Sequence, residues 1–477
     1  MKTRWKILIA AGIILLLAAA SAWVTAHHQP QNAVEDYKKL LRAQGEKLEI
    51  SEVLPPSVPA SENCVDAVRM AFGSFGSAGV MLPRVMQMVS PGKALAAWQQ
   101  PDVRDANGSH DTTNAWADFA AEVAIHRPAV ELLQEVFNRP KLDFQLDYKK
   151  AATSSLPHLA DLKRVALALS AASILDLHNG DTGAAVTNIC TLLALVRAHH
   201  DEPITISHLV RVAMVAIAVN PTWECLQTTN ATDAQLSMLQ KNWEQLEFIR
   251  SAEQASEMVR ASLLEDMAAA RASSAEFDRT IGNWKFGGSS PSFTWDWPPD
   301  FDALGKSAKY SVGKTLWRAS WSYTQERRFL EANQIVLETL RGMETNRQFL
   351  KPQSDAMQGK ISALGLPSAG AAFVSALKIT DFSDVVDGSG LGSIVTKNIR
   401  IEAARRVVVA AIALKRFQVR HGKLPETLGE LAPEFFAAVP IDPYDGKPLR
   451  YHPNADGTFL LYCDGSPPSS TPSSPTQ

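Results

Sequence analysis

Residues 156–228 read LPHLADLKRVALALSAASILDLHNGDTGAAVTNICTLLALVRAHHDEPITISHLVRVAMVAIAVNPTWECLQT, and their spacing decides the architecture. Leu159–Leu177 reads as a helix with Leu162, Val165, Ala166, Leu169 and Ala172 or Ile174 on its apolar face. His178-Asn179-Gly180-Asp181 then supplies a turn, with Gly at the helix stop and Asp at the next start. Ala184–Ala198 reads as a second helix. Asp201-Glu202-Pro203 is expected to cap a third, which runs to about Val219 and ends at Asn220-Pro221. Long helices joined by short turns are antiparallel hairpins. They build tetratricopeptide-like solenoids and ordinary α-bundles alike, and no strict period of about 34 residues chooses between the two.

The rest of the chain extends this mainly α reading. A short helix is expected around Tyr37–Leu48, then a Pro-rich connector at Leu54–Pro59. Residues 61–150 read as mostly helical, broken near Gly73, Gly76 and Gly79, with helices over Asn114–Arg127 and Ala129–Phe137. Thr232-Asp233 caps a long polar helix predicted over 232–280. Residues 283–300 read as a loop with its own aromatic anchors, and 310–347 return to helix. Residues 365–392 are Gly-, Ser- and Asp-rich and should contain a break. Ile399–His421 is a strongly apolar helix. The expected domains are 1–26, a 27–60 linker, a 61–398 helical body, a 399–465 α+β module with a β-hairpin, and a disordered tail over 466–477.

Composition bounds the function. The chain has 477 residues, 46% hydrophobic and 20% charged, enough for a sizeable core. Lys plus Arg is 47 and Asp plus Glu is 50, so no basic field points to nucleic acid. Lys2, Arg4 and Lys6 precede Ile7–Ala26, a run without charge that is long enough to cross a hydrocarbon core of about 30 Å. The positive-inside rule puts the N-terminus in the cytoplasm and the bulk in the periplasm, anchored in the inner membrane through residues 7–26. Cleavage near Ala20-Ser21-Ala22 or Val24-Thr25-Ala26 would release it instead. In that oxidising compartment Cys64, Cys190, Cys225 and Cys463 could pair, and nothing in their spacing selects a connectivity.

The most specific motif is C-terminal. Ala413, Phe417, Gly422 and Pro425 end a helix, Leu428 and Leu431 follow, and Pro440, Asp442, Pro443 and Gly446 form a loop. Two strand-like runs, 449–453 and 458–463, flank a turn at Asn454-Ala455-Asp456-Gly457. Over residues 403–465 this order resembles the C-terminal module of the type II secretion major pseudopilin. The processing pattern that begins a pseudopilin is absent from Met1–Ala26, so the segment reads as a borrowed module. The resemblance implies calcium held by loop carboxylates, here Asp442, Asp445, Asp456 and Asp464; turn formation is the alternative role for Asp442 and Asp456. Residues 156–265 resemble exported bacterial proteins with a helical body.

Complete catalytic motifs are absent from the sequence. Gly313-Lys314-Thr315 lacks the first glycine of a phosphate loop, since Ala308 stands there. Ser311–Lys314 and Ser375–Lys378 fit Ser-x-x-Lys without partner motifs. His199-His200-Asp201-Glu202 lacks the spacing that aims two imidazoles at one ion and reads as a helix end. Glu257 and Glu265, with Arg260 between them, read as ion-pairing residues. Trp284, Trp295 and Trp297 form the candidate binding loop, to be weighed against simple core packing. The expected function is a non-enzymatic envelope protein with a scaffold or partner-binding role. The alternatives are an accessory component of a type II secretion or pilus-like machine, and an exported hydrolase or glycan-binding protein.

Overall fold

A computed structural model describes residues 29–74, 87–90, 93–100, 115–151, 156–286, 311, 314–315, 317–346, 351–364, 391–455 and 457–464. The fold is mainly helical, with a small antiparallel hairpin near the C-terminus. The chain forms two compact units, one of residues 1–54, 256–338 and 357–392, the other of 55–255, 339–356 and 393–477. The larger unit therefore takes in the C-terminal module along with much of the expected helical body.

The larger unit is built on Pro157–His178, Thr182–Ala198 and Thr205–Leu226. The first turn is as the sequence implies: Gly180 adopts φ +81°, and Asp181 accepts from the Ala184 N–H at 2.9 Å. Thr182–Ala198 is apolar on nearly every side, with Ala185, Val186, Ile189, Leu192, Leu193 and Leu195 buried. A helix apolar all round belongs at the centre of a bundle. The third helix departs from expectation at both ends. Asp201 does not cap it; the N-cap is Ile204, with no side-chain bond. Nor does Pro221 end it. The ring removes one backbone donor, but Thr222, Cys225 and Leu226 beyond it are buried, and that burial outweighs the lost bond. Among the described residues Thr205–Leu226 is the one helix long and apolar enough to cross a membrane, and half of that window is buried in the protein. Ile7–Ala26 lies outside the described residues.

Other boundaries moved for similar reasons. One helix, Ala115–Leu132, runs through Pro128 and passes into a 3-10 turn at Leu133–Phe137. The expected 232–280 helix is three, Asp233–Glu244, Ile249–Ala272 and Ser274–Phe286, because buried Leu246 and Phe248 turn the chain between the first two. A bulged hairpin, Gln87–Ser90 with Lys93–Leu95, stands in a region read as helical. Residues 29–43 are helical, earlier than expected, and turn at Gly45 with φ +83°.

Leu391–His421 stops at Gly422, φ +71°. Its Val408, Val409 and Ile412 join the bundle core. Its Ala410, Ala413, Leu414 and Phe417 pack instead on Leu428, Leu431, Phe435, Leu449 and Cys463. Thr427 and Glu430 form a capping box around the Leu428–Leu431 turn. Arg450–Pro453 pairs antiparallel with Phe459–Tyr462. Arg416 donates to Asp233 at 2.8 Å and to Gln240 at 3.1 Å, tying module to bundle.

In the smaller unit Val34, Leu41 and Leu48 pack on Leu330. The Arg260 guanidinium is wholly buried, donating to Glu46 at 2.8 Å, Gln334 at 3.0 Å and the Lys47 carbonyl at 3.0 Å. Glu257 accepts from Lys47 at 2.8 Å, so both residues serve the ion pairs the sequence implied. The four cysteines are unpaired and buried, in place of the disulfides an exported chain could form. Burial pushes each thiol up to about 12.

Candidate functional site

The end of Thr182–Ala198 carries a close group of titratable side chains. A 3-10 turn, His199–Asp201, follows that helix directly and alternates its side chains between two surroundings. His200 and Asp201 face outward. His200 Nδ1 lies 2.8 Å from Asp201 and Nε2 lies 3.0 Å from Glu247. Burial lowers the pKa of that imidazole, but the two carboxylates more than offset it and raise the ring above its ordinary value. Asp201 also accepts from Lys141 at 2.7 Å, and His200 and Lys141 together hold its carboxyl far below the usual range.

His199 and Glu202 turn inward. There they meet His158, which sits in the first turn of Pro157–His178. His158 Nε2 lies 3.1 Å from Glu202 Oε1, and His199 Nδ1 lies 4.0 Å from Glu202 Oε2. One ligand-capable atom from each of the three residues lies within 4.8 Å of the others, and all three residues are buried. The Ser207 hydroxyl donates to Glu202 Oε1 and fixes the carboxylate. The Phe144 ring covers the group, 4.4 Å from the His158 ring and 6.1 Å from the His199 ring. Burial lowers His199 to about 4, so its ring is neutral. Burial raises Glu202, but its bonds and charge interactions with His158, His199 and Ser207 outweigh that and keep the carboxyl below its ordinary value. Among the described residues neither nitrogen of His199 has a hydrogen-bond partner.

A small pocket reaches Glu202 from the surface, lined also by Pro55, Val58, Lys141, Tyr148 and Asp201. Burial, and then the charge of Glu202, raise the Tyr148 hydroxyl well above the usual phenol value, so it is a neutral donor. Two imidazoles and one carboxylate form a donor set for a transition-metal ion.

The acidic loop residues meet a different partner. Asp442, Asp445 and Asp464 converge on the Arg450 guanidinium: Arg450 donates to Asp442 at 2.6 Å, to Asp464 at 3.1 Å and to both oxygens of Asp445. Arg450 holds Asp445 below the usual carboxylate range. Asp442 is wholly buried and also accepts from the N–H groups of Tyr444 at 2.8 Å and Asp464 at 2.7 Å. These bonds fold the loop around its carboxylate. Asp456 lies outside the described residues. Of the aromatic candidates, Trp284 falls within the Ser274–Phe286 helix and not in a loop, while Trp295 and Trp297 lie outside the described residues.

The sequence reading of His199–Glu202 considered imidazoles from that one helix end alone. The second imidazole comes from His158, separated by 44 positions from Glu202. Pro157-His158 at a helix start was the available signal. Comparison of this chain with protein-family models, with curated proteins and with solved structures finds no match.

Proposed function

We propose that the chain is a periplasmic protein held in the inner membrane by a helix over residues 7–26, with a non-catalytic role in binding an envelope protein partner. The observation that carries the reading is the pairing of a helical-hairpin body with a small α+β module. Pro157–His178, Thr182–Ala198 and Thr205–Leu226 follow one another through short connections, and in this reading they act as hairpins of tetratricopeptide-like kind, a geometry that builds binding surfaces. The order of the Gly422 stop, the Leu428–Leu431 turn, the Asp442 loop and the hairpin supports the pseudopilin likeness, and with it an accessory place in a type II secretion or pilus-like machine. The near-balance of charge argues against a nucleic-acid partner. In this reading Arg450 supplies the positive charge that calcium supplies in the pseudopilin loop.

The test is in-vivo photocrosslinking of the tagged full-length chain, with the crosslinker placed at Leu460. That side chain is large, apolar and half exposed on the hairpin. Mass spectrometry of the adducts should return envelope proteins, and secretion or pilus subunits if the accessory reading holds. A Leu460→Asp chain without the crosslinker, captured by its tag, should no longer bring them down. Recovery of no specific protein, or of cytoplasmic proteins only, overturns the proposal.

A further inference from the structure

We propose that His158, His199 and Glu202 form a binding site for one divalent transition-metal ion, with zinc the probe of choice. Three observations lead there. The first is the donor set. Two imidazoles and a carboxylate suit zinc and its first-row neighbours, whereas calcium and magnesium take oxygen ligands alone. Three protein ligands that leave a fourth position open are also the pattern of zinc sites accessible to water.

The second is geometry. The ligand atoms already lie within 4.8 Å of one another, and His158 Nε2 is 3.1 Å from Glu202. A tetrahedral ion with bonds of about 2.0–2.1 Å would draw them to about 3.4 Å apart. That is a side-chain adjustment and leaves the helices where they are. Ser207 holds the carboxylate from behind, the outer support such ligands ordinarily have.

The third is the state of His199. Its ring is wholly buried, and among the described residues neither nitrogen meets a donor or acceptor. A buried polar group normally finds a partner, and one that lacks it calls for an explanation. Its Nδ1 points toward Glu202 at 4.0 Å, too far for a hydrogen bond and suited to an ion between them. The pocket beside Lys141 and Tyr148 reaches Glu202, one of the three ligands. Both imidazoles bind through a lone pair in their neutral form. The hydrogen bond between His158 and Glu202 is therefore given up when the ion enters, and the proton count changes only if one of the rings was charged.

The test uses the full-length chain, purified in detergent, stripped with a chelator and titrated with zinc against a chromophoric competitor. One zinc per chain is expected. His199→Ala and Glu202→Gln should each weaken binding by at least about 100-fold, more than loss of an outer hydrogen-bond partner costs. His200→Ala, one position outside the set, should leave affinity unchanged. Circular dichroism identifies variants that fail to fold. X-ray absorption on the zinc-loaded wild type needs no variant and should show two imidazoles at about 2.0–2.1 Å. A wild type that binds no zinc, a site with fewer than two imidazoles, or binding that survives loss of His199 or vanishes with His200→Ala overturns the assignment.

Discussion

Replacing Arg450 by Met isolates the charge balance of the C-terminal module. The substitution keeps most of the side-chain volume and removes the guanidinium that Asp442, Asp445 and Asp464 share. Asp445 and Asp464 are partly exposed and can turn to water, so their share is small. Asp442 is wholly buried and cannot. Removing one partner of a buried pair costs about 3–5 kcal/mol. Asp442 keeps two backbone donors, Tyr444 N–H and Asp464 N–H, which places the cost near the lower end, about 3 kcal/mol. With a urea slope of about 1–3 kcal/mol per molar, the unfolding midpoint falls by roughly 1 M or more. Urea titration followed by far-UV circular dichroism measures the shift, and hydrogen exchange over residues 449–463 assigns it to the module. Adding Asp442→Asn to Arg450→Met should recover most of the loss, because the uncompensated charge is gone. Millimolar calcium should also stabilise Arg450→Met, by about 2.7 kcal/mol at a hundredfold excess over its dissociation constant, and leave the wild type unmoved. A midpoint shift below about 0.3 M would show that Asp442 does not depend on Arg450. An equal calcium response in the wild type would show that the guanidinium does not take the cation's place.

Three further outcomes are expected. His208 is buried, with Nε2 3.1 Å from Asn398 Oδ1 and Nδ1 2.9 Å from Ser251 Oγ; burial, then the nearby Arg211 charge, lower it to about 3. Between the ordinary histidine value near 6.5 and that value the unfolded chain takes up a proton that the folded chain refuses. Stability is therefore complete above about pH 6.5 and declines below it, by up to about 1.4 kcal/mol per pH unit. His208→Gln should flatten that slope in denaturation curves run at a series of pH values, and an unchanged slope would assign the decline elsewhere. Arg260→Met should cost about 3–5 kcal/mol by removing the guanidinium that pairs with the buried Glu46 carboxylate, read as faster hydrogen exchange over residues 29–54; Glu46→Gln in the same chain should restore protection. Cys64, Cys190, Cys225 and Cys463 should resist a thiol reagent in the native protein and react fully in denaturant, since each thiol is buried and protonated. Rapid labelling of any of them in the native protein would contradict its burial.

The central hairpins were legible because their signals are local. Gly180 and Asp181 mark a stop and a start within two residues, and the apolar spacing of Leu162, Val165 and Leu169 leaves one reading. The C-terminal order of helix, turn and hairpin was legible for the same reason. Pro128 and Pro221 misled because proline's cost is local, whereas the burial that outweighs it comes from other helices. The break at Leu246 and Phe248 likewise depends on a core that no window of sequence displays. The histidine–carboxylate group was the least legible. Its ligands lie on two helices, and adjacent His199 and His200 face opposite ways only because a 3-10 turn directs them. Of the four aspartates singled out, Asp442, Asp445 and Asp464 meet Arg450, a partner the sequence does not reveal, since a pattern of acids does not say which cation neutralises them.

The larger unit takes residues 55–255, 339–356 and 393–477 from distant parts of the chain, and that order sets a schedule for its assembly. The three central helices emerge from the ribosome well before Leu391–His421, whose Val408, Val409 and Ile412 complete their core. The roughly 160 residues between Leu226 and Leu391 take about 8–32 s to synthesise at about 5–20 residues per second. Throughout that interval the nascent bundle holds an open apolar seam, which makes it a client for a holding chaperone. A chain truncated before residue 400 would keep that seam for good, so loss of the last sixth of the protein should send the rest to aggregation or proteolysis.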